Sequence, residues 1–314
     1  MIVRSSLTLM AGAACLALAG CAAPLPEPDH ADLAYAKLSP AQTLDIYLPE
    51  GDGPFPLVIN IHGGAFRMGD KDMLDAPIAE ALRAKGIAVA SINYRLSGEA
   101  KFPAAIEDAK AAVRFLRANA RQYRLDADRF LVFGQSAGGN LASLIGTTGN
   151  AGVFDNPALG NPGVPSNVAA VIDWFGPSDF SLLDKHAREQ GCPPDHGAAD
   201  SPESAYLGAA IGTLPDKVQA SNPVTYVDPQ DPPFLLQKGA EDCLVPVGQS
   251  RVLEEALRKA GVAAQLEVLG GAGHGDMGLW QPVFLSKANV ARVVAFAEQH
   301  LQLRNGRWSQ TNGS

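Results

Sequence analysis

Ser136 stands in Gly134-Gln135-Ser136-Ala137-Gly138, between the apolar run Phe130 to Phe133 and a helical pattern through Leu141, Leu144 and Ile145. A hydroxyl on such a strand-turn-helix connection is the arrangement of a G-x-S-x-G nucleophile elbow. The flanking glycines let the chain reverse without Cβ clashes, and the following helix aims N–H groups and its positive end at the reacting centre. A serine hydroxyl is a weak nucleophile until a neighbouring base takes its proton, so this chemistry requires a histidine. Of the six present, His274 lies in Gly270-Gly271-Ala272-Gly273-His274-Gly275-Asp276, directly after the run ending at Leu269. A glycine-flanked loop there suits a base that reaches over a sheet edge. His30 falls in a Pro-rich N-terminal segment, His300 closes the last helical pattern, His186 and His196 lie in a polar stretch, and His62 precedes a glycine pair.

A third group must orient the imidazole, and it should lie between Ser and His in chain order at another strand end. Asp242, in Lys238-Gly239-Ala240-Glu241-Asp242-Cys243, follows the apolar run Phe234 to Gln237 and is the favoured acid. Asp179 is the rival one strand earlier; Glu241 and Asp276 read as solvated loop charges. Acyl transfer also develops an oxyanion, for which preorganised N–H donors are needed. His62-Gly63-Gly64-Ala65-Phe66 places consecutive small residues at a strand end, so Gly64 and Ala137, with Gly63 or Ala65 as a third donor, are the expected oxyanion hole.

The elements that must hold these groups alternate. Leu44, Ile46 and Leu48 have the two-residue period of a half-buried strand, and Leu57 to Ile61, Ile87 to Ile92, Phe130 to Phe133, Val168 to Phe175, Phe234 to Gln237 and Gln265 to Leu269 read as further strands. Helical periodicity is expected over 74–85, 103–123, from Ala137, and near 248–260 and 286–302. Strands alternating with helices of this length imply an α/β fold with a mostly parallel, doubly wound sheet flanked by helices. Residues 149–167 and 178–230 interrupt the rhythm with Gly, Asn and Pro, and are expected to be walls or lids over a site, or packed surface excursions.

Length and composition agree with one large domain. The chain has 314 residues, 46% hydrophobic and 18% charged, with a net charge of -8. That acidic balance excludes a general nucleic-acid binder, which needs a basic stripe. No Cys/His group has zinc-like spacing, so no metal or organic cofactor is expected.

Taken together, His62-Gly63-Gly64, Asn93-Tyr94-Arg95-Leu96, Phe102-Pro103-Ala104-Ala105, Gly134-Gln135-Ser136-Ala137-Gly138-Gly139, Asp242-Cys243-Leu244-Val245-Pro246 and Gly273-His274 resemble the α/β-hydrolase carboxylesterases. The likeness is greatest to bacterial feruloyl and acetyl esterases and to hormone-sensitive-lipase-like enzymes. It covers about 40–302 and implies an α/β-hydrolase fold, a Ser136, His274, Asp242 triad and the oxyanion donors named above. Tyr94, Arg95 and Asp108 read as loop pins beneath the site. Ala65 replaces the third glycine of the lipase-like H-G-G-G motif, and no N-terminal helical cap or separate cap domain is expected, which argues against large lipid substrates. The resemblance implies a serine carboxylesterase acting on small-molecule or polysaccharide-linked esters with short or aromatic acyl groups. Phe66, Trp174, Tyr226 and Trp280 are the aromatic residues available either to line such a pocket or to pack as ordinary core. Two alternatives are a prolyl-oligopeptidase-type serine peptidase, which carries a propeller domain for which this chain has no room, and a hydrolase scaffold that binds without catalysis.

The N-terminus adds a location. Arg4 followed by the apolar run Leu7 to Ala19 has the outline of a signal peptide, and Leu18-Ala19-Gly20-Cys21 resembles the lipobox of bacterial lipoproteins. The expected organisation is a signal over 1–20, a tether over 21–40 beginning at lipidated Cys21, a hydrolase domain over 41–302 and a tail over 303–314. Ala22 resembles the signal for sorting to an outer membrane, so the expected membrane partner is reached through the N-terminal lipid in the bacterial cell envelope. Cys15 leaves with the signal, and Cys192 and Cys243, exported to an oxidising compartment, are expected to form a disulfide or else to remain as small buried residues.

Overall fold

In chain order the elements are β1 (His30–Ala34), β2 (Thr43–Tyr47), β3 (Phe55–Ile61), α1 (Ala76–Arg83), β4 (Ala88–Ile92), α2 (Ala104–Ala118), β5 (Leu125–Gln135), α3 (Ala137–Thr148), β6 (Ala170–Trp174), α4 (Leu183–Gln190), α5 (Pro202–Leu207), α6 (Pro215–Ser221), β7 (Phe234–Gly239), α7 (Val247–Lys259), β8 (Ala264–Leu269) and α8 (Lys287–His300). The structure, a computed structural model, describes residues 27–276 and 282–301. Segment 1–20, Cys21, Trp280 and the tail 303–314 lie outside the described residues.

All eight strands join one sheet in the order β1-β2-β4-β3-β5-β6-β7-β8, antiparallel at β1/β2 and β2/β4 and parallel from β4 to β8. The interior strands are continuous apolar runs because both faces are covered. Within β3, Leu57, Ile59 and Ile61 face a core shared with residues of α2, α3 and α7, whereas Val58 faces a second core shared with α1 and α8. Each such aliphatic side chain, buried fully, stabilises the fold by roughly 1.5–3 kcal/mol.

The topology also places the chemistry. From β3 the chain winds one way to β4, then returns across β3 to β5, so β3 and β5 are neighbours at a switch point, the position where parallel sheets bind ligands. His62 follows β3 and Ser136 follows β5, while Asp242 and His274 follow β7 and β8. All four therefore gather on one edge of the sheet.

Two expectations need correction. The tether assigned to 21–40 contains β1, which pairs with β2 and is bulged at Asp32, whose N–H donates to Asp45 Oδ1 at 2.7 Å. A short, charge-bearing edge strand lacks the apolar alternation that marks interior strands. The helix expected over 103–123 ends at Ala118, because the Asn119 side chain takes the Phe115 carbonyl at 2.8 Å and turns follow. The polar stretch 178–230 holds α4, α5 and α6, each eight residues or fewer and two of them opened by proline. By contrast, 149–167 is a packed surface excursion, pinned by Lys110 and Arg114 on Asp155 at 3.2 and 3.0 Å.

Beneath the site edge, Asp108 accepts Arg95 N–H at 2.9 Å, the Arg95 guanidinium at two positions 2.8 Å away, and Gln42 Nε2 at 2.7 Å, with the carboxylate fully buried. Removing one partner of a buried ion pair leaves an uncompensated charge. Asp108→Ala should therefore lower the unfolding free energy by about 3–5 kcal/mol in urea titrations. Asp126→Ala, which opens a half-exposed pair with Arg129, should cost less than about 1 kcal/mol. Equal effects would show that the Asp108 network is not a structural pin.

Candidate active site

Ser136 occupies the turn between β5 and α3 with φ 54° and ψ −119°, a combination that residues bearing a Cβ rarely adopt. It is tolerated because the neighbouring backbones close where no Cβ intervenes. A methyl at Gly134 would lie 2.0 Å from the Gly138 carbonyl oxygen, and one at Gly138 would lie 2.0 Å from that of Ile61. Ser136 N–H donates to the Trp174 carbonyl at 2.8 Å, which ties the turn to β6. Beside it, Gln135 Nε2 donates to Asp75 Oδ2 at 2.6 Å, and burial pushes the Asp75 carboxyl up to about 6 despite that bond.

From this turn a hydrogen-bonded chain runs outward. Ser136 Oγ lies 2.8 Å from His274 Nε2, and His274 Nδ1 lies 2.8 Å from Asp242 Oδ2. Asp242 Oδ1 accepts the N–H groups of Leu244 and Val245 at 2.9 Å each. Burial pushes the Asp242 carboxyl up, but the Lys238 charge and the His274 hydrogen bond outweigh it, and the value falls to about 2. An ionised carboxylate only accepts, so Nδ1 carries the imidazole proton and Nε2 is left to accept from the Ser136 hydroxyl.

The rival acids are engaged elsewhere. Asp179 caps the turn Phe180–Leu182 and accepts from Ser181 N–H and Asn222 Nδ2 at 2.9 Å each. Glu241 is exposed and accepts from Gly271 N–H at 3.1 Å. Asp276 binds three N–H groups, those of Val283, Phe284 and Leu285.

Facing Ser136, the loop after β3 runs through Gly64, Ala65 and Phe66 with φ of 110°, 56° and 58°. This left-handed run curls the loop so that the Gly64 carbonyl accepts from Arg67 and Met68 N–H at 2.9 and 3.1 Å. The N–H groups of Gly63, Gly64, Ala65 and Ala137 make no backbone hydrogen bond among the described residues. His62 itself is structural: its Nδ1 lies 2.7 Å from the Gly63 carbonyl, its ring stacks on Tyr94 with centroids 4.4 Å apart, and burial lowers its proton affinity.

The 178–230 segment forms a wall joined to two of these loops. Arg67 donates to the Asp200 and Ser201 carbonyls, and Phe66 stacks on Tyr206 with centroids 3.9 Å apart. On the other side Cys192 is bonded to Cys243, next to the acid, with Cα atoms 5.3 Å apart. Gln190 reinforces that bond, donating from Nε2 to the Asp242 carbonyl and accepting Val247 N–H, both at 2.8 Å. Two of the aromatic residues available to line a pocket or to pack as ordinary core are packed against other side chains. Trp174 is core, donating from Nε1 to Gln237 Oε1 at 2.6 Å and packing on Phe133 and Phe284, and Tyr226 packs on Phe154 with its hydroxyl on the Ala220 carbonyl.

Two residues at the site have no counterpart in the sequence analysis. Lys238 is fully buried, with Nζ 2.8 Å from Asp242 Oδ2. Phe175, at φ 47°, sets its ring 4.7 Å from that of His274. The sequence reads Phe175 as the last residue of the strand Val168 to Phe175, and that strand-end position was its one signal.

Comparison with known proteins finds relatives of this chain. The family model described as BD-FAE matches residues 44–257. Esterase LipC of Mycobacterium tuberculosis is 31% identical over 240 residues, covering 75% of this chain and 57% of that protein. The probable carboxylic ester hydrolase LipM of the same organism is 30% identical over 232 residues, covering 73% and 51%. The chain thus spans about half the length of the curated relatives it matches. Among solved structures, a truncated carbohydrate esterase from gut microbiota superposes with a TM-score of 0.78 at 30% identity, covering 87% of this chain and 95% of that one. A bifunctional GH43-CE protein of Bacteroides eggerthii gives 0.76 at 36% identity over 86% and 35%. The fold is that of the α/β-hydrolase esterases.

The disulfide closes a loop across 51 positions of sequence. By the chain-entropy relation for such a loop, its loss should cost roughly 4 kcal/mol. Urea unfolding of the Cys192→Ser/Cys243→Ser double variant against the oxidised wild type checks this, and a difference below about 1 kcal/mol would contradict it.

Proposed function

This chain belongs to the BD-FAE family of α/β-hydrolases, and we propose that it is a serine carboxylic-ester hydrolase. The observation that carries this reading is the continuous Ser136-His274-Asp242 hydrogen-bonded chain, with both links at 2.8 Å, beside a glycine-rich loop whose N–H groups make no backbone hydrogen bond among the described residues. Ser136 Oγ attacks the ester carbonyl while His274 Nε2 takes its proton. The oxyanion is stabilised by the N–H groups of Gly64 and Ala137, with Gly63 or Ala65 adding a third; one such donor is worth ~2.7–4 kcal/mol. His274 then gives its proton to the leaving alcohol, Asp242 stabilising the imidazolium, and water repeats the sequence to release the acid.

The substrate class is a short-chain or aromatic acyl ester, including acetyl or feruloyl groups on carbohydrate. Support comes from the printed identities of the structural relatives, a carbohydrate esterase and a GH43-CE protein, and from a site walled by the 178–230 segment. Wild type should hydrolyse nitrophenyl acetate and an acetylated xylan faster than nitrophenyl octanoate. Ser136→Ala should lose at least about a thousandfold of that activity with an unchanged circular dichroism spectrum. Retained activity in Ser136→Ala would overturn the nucleophile assignment.

The domain is held, on this reading, at the bacterial envelope by acyl chains on Cys21, exposed by cleavage after Gly20, and sorted to the outer membrane. Several chains exceed the two anchoring signals that stable attachment needs. Cells fed a labelled fatty acid should incorporate it into the wild-type protein and not into Cys21→Ser; equal incorporation, or none in either, would refute the anchor.

A further inference from the structure

Lys238 is the last charged residue of β7, four positions before Asp242, and its side chain is entirely shielded from water, as is that of Asp242. Its Nζ lies 2.8 Å from Asp242 Oδ2, the same oxygen that holds His274 Nδ1 at 2.8 Å. Oδ1 is meanwhile occupied by two backbone N–H groups. Among the described residues the remaining polar contact of Nζ is the Phe175 carbonyl at 3.4 Å, and the Phe175 ring lies against His274. One ammonium therefore contacts the acid and the residue that backs the base, at a position where an ordinary strand-end lysine would extend into solvent.

We propose that Lys238 is a positioning residue of the proposed hydrolase: it fixes the Asp242 carboxylate and, by sharing Oδ2 with His274, weakens the hold of that carboxylate on a protonated imidazole. This rests on the esterase reading of the site. The charges facing Lys238 are Asp242 and, from β6, Asp173, whose own carboxyl accepts from Ser143 Oγ at 2.7 Å and Gly176 N–H at 2.8 Å. Burial pulls the Lys238 ammonium below its usual value, and these two carboxylates oppose that pull. With the cation present, Asp242 orients the imidazole while its charge is partly neutralised, so His274 gives up its proton more readily. Without it, the full Asp242 charge favours the imidazolium. The base would then stay protonated, and the serine unactivated, to a higher pH.

The test compares wild type with Lys238→Met, which keeps an unbranched chain of similar length, and Lys238→Arg, which keeps the charge. In Lys238→Met the acid limb of kcat/KM should move upward by about one pH unit, with KM at the alkaline plateau unchanged. The pH at which nitrogen NMR shows the His274 ring taking up its proton should move by the same amount, and Lys238→Arg should stay near wild type. A folded Lys238→Met whose acid limb and ring titration do not move would overturn the proposal. If neither variant folds, the wild-type Lys238 ammonium resonance, assigned through its cross-peak to the His274 ring N–H, decides the matter. It should step at the pH where His274 titrates, and constancy across that transition would refute the coupling. Should the wild type hydrolyse no ester, the hydrolase reading alone fails, since the NMR titrations report the pairing without turnover.

Discussion

The closure of three backbones around Ser136 is the constraint on which the site depends. β3, β5 and the start of α3 approach so closely that a Cβ at either flanking glycine would sit 2.0 Å from a carbonyl oxygen. Ser136 is thereby held at φ 54°, with its hydroxyl lifted from the sheet edge and its own N–H spent on Trp174. That strain is sustained by the apolar burial on both faces of β3 and β5, which the local turn alone could not supply. The same closure brings the loop after β3 against the turn, where a Cβ at Gly63 would lie 3.0 Å from the Gln135 carbonyl oxygen and 3.2 Å from Ser136 Cβ.

On the far side of the serine, the difficulty is electrostatic. Asp242 is a carboxylate taken entirely out of water, and it is retained as a charge by two N–H groups, an imidazole and the Lys238 ammonium. Its loop is also held mechanically, by the Cys192–Cys243 bond and by both ends of the Gln190 amide. The 178–230 segment supplies these braces and also touches the Gly63–Phe66 loop through Arg67 and Tyr206. One segment thus couples the position of the Asp242 loop to that of the Gly63–Phe66 loop, and the geometry of the site is a property of the sheet and its wall together.

Much of this was legible from the chain. Ser136, His274 and Asp242 follow apolar runs and sit among glycines or turn residues, so local pattern and chain order sufficed to pick them. The sheet was readable for the same reason, since strands buried on both faces are unbroken apolar runs. β1 was hidden because an edge strand of five residues with Asp32 at a bulge has no such run. The helices α4 to α6 were hidden by their shortness, and α5 and α6 also by their Pro starts. Lys238 was illegible in principle: a lysine ending a strand looks solvated until tertiary structure buries it against a carboxylate from the following loop. Trp174 shows the converse, a residue whose type suits a pocket but whose indole N–H is satisfied in the core by Gln237.

On the proposed reading Ser136, and no other hydroxyl, is activated by the His274–Asp242 pair. Incubation with a fluorophosphonate probe followed by peptide mass mapping tests it most directly. A single covalent adduct is expected on the peptide containing Ser136, formed quickly near neutral pH and absent from His274→Ala. Absence of an adduct, an adduct on a different residue, or undiminished labelling without His274 would contradict it.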